Sequence, residues 1–207
     1  MKQDFLDHYR NVEVEALSRL KDFERFRDAS HDDLFEELAF CVFAANSSAE
    51  MGLLAVELLR PVLHHGSLDD YKRSVHKKVR FYNKRSEYLF FNREKLKELG
   101  IDLKHVVSDE DIHVKRLFIK NNLKGFGLKE SSHFLRNIGV KGLCIVDKHV
   151  LSVMKELGVL EVDEFPFKDS DYFRIESKIK EFADEHNLDV DVLDLAMWSF
   201  RTGKIIK

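Results

Sequence analysis

Apolar residues along this chain recur mostly three and four positions apart, as in Leu53-Leu54 with Val56, Leu58 and Leu59. No run of β-branched residues alternates in the manner of a half-buried strand. The periodicity predicts helices over 2–27 with a break, 31–45, 49–63, 69–79, 83–98, 109–121, 128–138, 148–157, 170–185 and 190–201. Three Ser-x-x-Asp sequences, Ser30 to Asp33, Ser67 to Asp70 and Ser108 to Asp111, read as capping boxes at helix starts. Gly100 and Gly139 stand where helices should stop. With two prolines, nine glycines, no internal repeat and no low-complexity tract, the expected fold class is all-α. No polar linker divides the chain, so any lobes are expected to pack closely.

Composition narrows the function classes. The 207 residues suffice for one large domain or two small lobes, and 44% hydrophobic residues argue against bulk disorder. No apolar run approaches the roughly 18 residues of a membrane span, and the start Met1-Lys2-Gln3-Asp4-Phe5 does not read as a signal peptide. An intracellular, cytoplasmic protein with no membrane partner is expected. Cys41 and Cys144 belong to no CxxC pair and read as buried thiols; two cysteines cannot hold a four-cysteine iron–sulfur cluster. His64-His65 lacks ligand spacing, so no metal is assigned.

The net charge of −3 does not announce a nucleic-acid binder, but its distribution is uneven. Residues 1–40 are acidic, whereas residues 71–97 hold ten lysines and arginines against only Glu87 and Glu94. That stretch is either a surface for phosphates or a solvated helix face.

The candidate chemistry lies in Asn121-Asn122-Leu123-Lys124-Gly125-Phe126-Gly127-Leu128-Lys129-Glu130. One helix ends, a Gly-x-Gly turn follows, and a second helix begins. The turn reads either as a plain connector or as a backbone grip for a phosphate, its amides aimed outward. Lys129 sits in the first helical turn, where the macrodipole disfavours a cation. An amine whose pKa is lowered by that dipole and by partial burial would suit nucleophilic attack. Eighteen residues on, Asp147 stands before a helical segment, as an N-cap, a catalytic carboxylate, or both.

Leu123-x-Gly125-Phe126-Gly127-x-Lys129, followed by Val146-Asp147-x-His149, resembles the helix–hairpin–helix DNA glycosylases, and the lysine is similar to that of their bifunctional branch. Lys124 departs from the proline that many relatives carry there. Upstream, the segment from Phe40 to Ala49 resembles the family's early helix and turn. The resemblance puts Asn46 where a Gln or Asn fills the gap left by an extruded base, while its residue type alone also suits a helix C-cap. Arg80-Phe81-Tyr82-Asn83-Lys84-Arg85 resembles the family's basic-aromatic stretch. The short length and the ending from Trp198 to Lys207 look most like the archaeal-type 8-oxoguanine DNA glycosylases.

The resemblance implies a two-lobed helix–hairpin–helix fold with a catalytic cleft between lobes. One lobe would be 31–146 and the other 1–30 plus 147–207. It implies that Gly125, Gly127 and His149 hold the DNA backbone and that Asn46 enters the stack. Lys129 would attack C1′ with help from Asp147, and a Schiff base would lead to β-elimination. Asp194, Trp198 and Lys207 are the candidates for the base pocket; Trp198 reads equally as plain core. The expected partner is double-stranded DNA containing a damaged base, met by a monomer. No cofactor is expected, although the resemblance leaves room for a monovalent cation at the hairpin carbonyls. Two other readings stay open: the same chemistry on oxidised pyrimidines, and a non-catalytic DNA-binding module.

Overall fold

The computed structural model describes residues 2–107, 111–162 and 164–207, and among these it contains helices and no strand. The helices are α1 (Lys2–Glu24), α2 (His31–Ala44), α3 (Ala49–Leu59), α4 (Leu68–Ser74), α5 (Tyr82–Glu98), α6 (Lys104–Val107), α7 (Ile112–Asn122), α8 (Leu128–Asn137), α9 (Lys148–Glu156), α10 (Asp169–Glu185) and α11 (Val190–Thr202). None is long and apolar enough to cross a membrane.

Local chemistry explains most boundaries. Ser30 and Ser67 form reciprocal capping boxes with Asp33 and Asp70, as expected. Ser108, the start of the third expected box, lies outside the described residues; Asp111 itself caps α7, accepting from His113 N. The helix expected over 2–27 with a break is instead continuous from Lys2 to Glu24, and a 3₁₀ turn, Arg25–Asp28, follows it. Two helices are shorter than their patterns. α3 stops at Leu59: Arg60 is still αR at φ −45° and ψ −41° and donates to Val56 O, but Pro61 has no N–H with which to continue the ladder. α4 stops at Ser74, and Lys77 takes a left-handed φ of 56°. The four-residue α6 is too short for periodicity to reveal.

The chain divides into two compact units, Arg25–Gly139 and Met1–Glu24 with Val140–Lys207. In the first, α2 is the central helix: Leu34, Phe35, Leu38, Ala39, Phe40, Val42 and Phe43 are all buried. It packs against α3, α5 and α8. Gly52 lets α3 approach, since a Cβ there would stand 2.8 Å from the Phe40 ring. A buried polar relay joins α8 to α2: Arg136 donates to Asn137 Oδ1, and Asn137 Nδ2 donates to Glu37 Oε1 at 2.6 Å. Buried groups of this kind are costly unless paired, so the relay also selects one register between the helices.

In the second unit, α11 packs on α1, α9 and α10. The segment 140–147 runs through this unit without regular structure, yet Leu143, Cys144, Ile145 and Val146 are buried. Side chains supply its hydrogen bonds. Asp191 accepts from Gly142 N at 2.9 Å, Glu176 from Cys144 N at 3.1 Å and Asp194 from Ile145 N at 2.7 Å. The Tyr172 hydroxyl accepts from Val146 N and donates to Cys144 O. This scaffolding is why the unit takes in the segment from Val140, whereas the sequence places the junction at 146/147. Asp194, a candidate for the base pocket, is 2% exposed and accepts from the Ile145 backbone.

Burial pushes the Asp191 carboxyl up to about 6, against the hydrogen bond from Gly142 and with help from the Asp189 and Asp194 charges. Burial likewise raises the Cys144 thiol well above the ordinary range. Both cysteines are buried, as their isolation in the sequence suggests.

Candidate functional site

The hairpin between α7 and α8 is built from two buried anchors and two glycines. Leu123 and Phe126 are buried, and the Phe126 ring meets Phe134 of α8 edge-on at 6.3 Å. Gly125 takes φ +86°, a conformation that calls for glycine, and a Cβ there would press on the Tyr88 ring at 3.0 Å. Gly127 is extended, with φ −93° and ψ −171°, and serves as the N-cap of α8. Only one of the two glycines therefore uses a left-handed backbone.

α8 starts without a side-chain cap, unlike α2, α3, α4, α7, α9 and α11, which start on serine or aspartate caps. Its first amides take no side-chain cap, and with the macrodipole they are a suitable grip for a phosphate oxygen. Lys129 is the second residue of the helix, and its side chain is 30% exposed. Its Nζ stands 2.9 Å from Glu130 Oε1. A nucleophilic attack by this amine requires it to leave that ion pair.

In α5, Arg85, Ser86, Leu89, Asn92 and Leu96 are buried. Two of the polar ones, Arg85 and Asn92, each hold a loop. Asn92 Oδ1 accepts from Lys124 N at 2.7 Å, and Asn92 Nδ2 donates to Lys124 O at 3.0 Å. The Lys124 amine lies 3.8 Å above the Phe91 ring. Arg85 donates through Nη1 to Phe43 O and through Nη2 to Ala45 O, closing the C-terminus of α2. Burial lowers the Arg85 pKa, with the Arg80 charge adding to it. Seven residues of helix separate these clamps, about 10 Å of rise. α5 thus spaces the hairpin from the α2–α3 turn.

Asn46 occupies that turn, exposed, with φ 50°. It follows the C-cap of α2, Ala45, and its own side chain is left facing outward. The basic stretch 71–97 resolves into separate roles. Lys72 and Lys84 pair with Glu87, Arg73 with Asp70, and Lys95 with Glu98. Lys77, Lys78 and Arg80 are exposed ahead of α5. Only part of the stretch is therefore open to phosphates.

In the other unit, Asp147 caps α9: its Oδ1 accepts from His149 N at 2.8 Å and Val150 N at 2.9 Å. The His149 ring meets Trp198 at 6.3 Å, nearly perpendicular. Trp198 is half-buried, as are Asp147 and Lys207. Asp194, one turn before Trp198 on α11, accepts from the Ile145 backbone N–H.

A family profile described as 8-oxoguanine DNA glycosylase matches residues 16–188. A Methanocaldococcus jannaschii 8-oxoguanine DNA glycosylase/AP lyase is 33% identical over 98% of this chain and 97% of its own length. The chain belongs to the 8-oxoguanine DNA glycosylase family. A Picrophilus torridus relative with the same description is 34% identical over 92% of this chain and 89% of its own length. Among solved structures, the M. jannaschii glycosylase/lyase in complex with a 15mer DNA containing 8-oxoguanine superposes with a TM-score of 0.89 at 30% identity, over 100% of both chains. The Thermotoga maritima 8-oxoguanine DNA glycosylase gives 0.89 at 32% identity, covering 99% of this chain and 97% of that one.

Within this glycosylase, sequence reading missed three residues of the hairpin framework. Arg85 was counted with a surface stretch, and Asn92 and Glu130 were not singled out. A spacing of 85, 89, 92 and 96 marks one helix face, and an asparagine on that face is a signal of a buried amide with a fixed partner. Nothing in the local sequence marks Glu130 as the partner of its neighbour.

Proposed function

We propose that this chain removes 8-oxoguanine from duplex DNA and then cuts the strand, with Lys129 as the nucleophile. The observation that carries the reading is the placement of the Lys129 amine in the first turn of an uncapped helix, directly after a glycine hairpin. In this scheme the hairpin amides hold a phosphate and Asn46 fills the gap left by the extruded nucleotide. As the neutral amine, the Lys129 Nζ attacks C1′ and gives up a proton as the C–N bond forms, while the C1′–N9 bond breaks and the base leaves with its electron pair and takes up a proton. Ring opening yields an iminium between Nζ and C1′. Loss of a C2′ proton then expels the 3′ phosphate, which is the β-elimination.

Asp147 lends negative charge beside the sugar as positive charge develops there. Its orientation is held by the two amides it caps. Trp198 and Lys207 contribute a ring face and a cation to the base pocket, with Asp194 one turn before Trp198 held by the Ile145 amide. Among the described residues no cluster of three or more His, Cys, Asp or Glu could hold a metal ion. A monovalent cation at the hairpin fits in part, since the Lys124 carbonyl already accepts from Asn92, and no step uses one. The reading takes the protein as a cytoplasmic monomer acting on double-stranded DNA.

The test is borohydride trapping on duplexes containing 8-oxoguanine or thymine glycol. A covalent adduct on the 8-oxoguanine duplex that is lost in Lys129→Gln is the expected result. Faster trapping on thymine glycol would move the substrate to oxidised pyrimidines. No adduct with either lesion would remove the lyase assignment.

A further inference from the structure

Lys129 and Glu130 are neighbours on α8, and neighbouring helix positions point about 100° apart, so such side chains do not face each other by default. Here the two fold towards one another, and Nζ stands 2.9 Å from Oε1. Glu130 is the third residue of the helix, a position from which a carboxylate ordinarily reaches back to the N-cap amide. Its Oε1 goes instead to Lys129, while Oε2 lies 3.4 Å from the point where a Cβ on Gly127 would stand. The carboxylate therefore sits at the hairpin, its side chain 16% exposed, touching the atom proposed to attack. The carboxylate that α2 presents to α8, Glu37, is taken up by Asn137 at the other end of the helix.

Resting on the reading of Lys129 as the nucleophile, we propose that Glu130 is a second catalytic residue: it accepts the proton that the Lys129 ammonium must lose before Nζ can attack. An ammonium has no lone pair to offer. In the free protein, water solvates the charged pair. DNA seated on the hairpin excludes that water, and the lost solvation penalises two charges, whereas an amine beside a carboxylic acid carries none. One proton then passes from Nζ to Oε1 along the contact already made, and Nζ keeps the electron pair that forms the bond to C1′. The second proton, shed by nitrogen as that bond forms, goes to the departing base. Ammonium, carboxylate and nucleoside thus become glycosylamine, carboxylic acid and neutral base. The acid returns its proton to solvent when product leaves.

The experiment measures cyanoborohydride trapping at saturating duplex between about pH 6 and 9 for wild type, Glu130→Gln and Glu130→Asp. Each is tested on an 8-oxoguanine duplex and on a duplex with a preformed abasic site. Gln fills the same space and suits the third helical position, so Glu130→Gln should melt with wild type. It should trap about 100-fold more slowly near neutral pH with KM unchanged, and its rate should climb about tenfold per pH unit as hydroxide takes over the deprotonation. The wild-type rate should vary little over the same range. Glu130→Asp, which keeps a carboxylate, should recover most of the rate and the flat profile. The deficit should be equal on the abasic duplex, where no base has to leave but the amine must still lose its proton. Trapping by Glu130→Gln as fast as wild type or faster, which an ion pair that only holds the ammonium would give, would overturn the assignment. So would a defect in KM alone, or one confined to the 8-oxoguanine duplex. In those cases wild type still traps, and Lys129 stands while Glu130 alone falls. If wild type traps on neither duplex, Lys129 falls and Glu130 with it.

Discussion

Asn92 holds Lys124 by both ends of its amide, accepting from the backbone N–H at 2.7 Å and donating to the carbonyl at 3.0 Å. The pair bears on the position at which the sequence resemblance leads one to expect proline. Proline has no N–H to offer, so here Asn92 is the partner of a hairpin that has kept its donor. Leu123 already adopts φ −108° and ψ 135°, the conformation proline asks of the residue before it.

A double-mutant cycle reads this coupling. Asn92→Leu orphans the Lys124 N–H and should cost about 1–3 kcal/mol. Lys124→Pro alone sets a ring against Asn92 Oδ1 and should cost a similar amount. The double variant should be more stable than the sum of the single effects, measured by urea unfolding. Additive costs would mean that the two residues do not act as a pair.

Asp147 combines a cap with a proposed electrostatic role, and the two separate by substitution. Asn caps as well as Asp, so Asp147→Asn should change the melting temperature little while slowing borohydride trapping by about 100-fold. Asp147→Ala should slow trapping similarly and also lose about 1 kcal/mol of stability. A loss of trapping only in the alanine variant would reduce Asp147 to a cap.

Stability should depend on pH through Asp191. Its carboxyl titrates near 6 in the folded chain, above its ordinary value of 3.8, because burial disfavours the charge. The folded state therefore binds this proton more tightly than the unfolded state. Its contribution is fully present below about pH 4, falls as pH rises towards 6 and is lost above it, a change of about 3 kcal/mol. Asp191→Asn should flatten this segment of the stability profile. Asp70, held at about 2 chiefly by its Ser67 partner, acts in the opposite sense and at lower pH, so the two effects are separable in urea titrations.

Gly52 is a steric requirement rather than a flexible joint. Gly52→Leu would drive a side chain into Phe40 and Ala44 and should cost about 1–3 kcal/mol, lowering the melting temperature. Because Asn46 lies in the turn joining these two helices, KM for lesion duplex should rise as well. Unchanged stability would show that α2 and α3 separate easily.

Most helices were legible because their signals are local: apolar spacing, Ser-x-x-Asp boxes, and terminal glycines. α4 fell short of its pattern and the four-residue α6 had no pattern to show. In the site, Gly125, Gly127, Lys129 and the cap at Asp147 lie in short contiguous motifs and could be read directly. The backbone bond of Asp194 was not legible, because a carboxylate one turn from a tryptophan looks the same in sequence whether or not it holds a buried backbone segment. The 140–147 segment is unpaired by any helix or strand, and three acidic side chains from α10 and α11 supply its acceptors.

By itself the sequence determined the helical class, the hairpin, its lysine and the family they belong to, since each is written in residues close together along the chain. Tertiary structure alone decided that Arg85 and Asn92, seven residues apart, clamp two different loops. It also decided that Phe81 stays outside the core and that Asp194 is inside it. The physical reason is that the value of a buried polar group lies in its partner. Here the partners are backbone atoms 32 to 49 residues away in the chain, where spacing carries no information about contact.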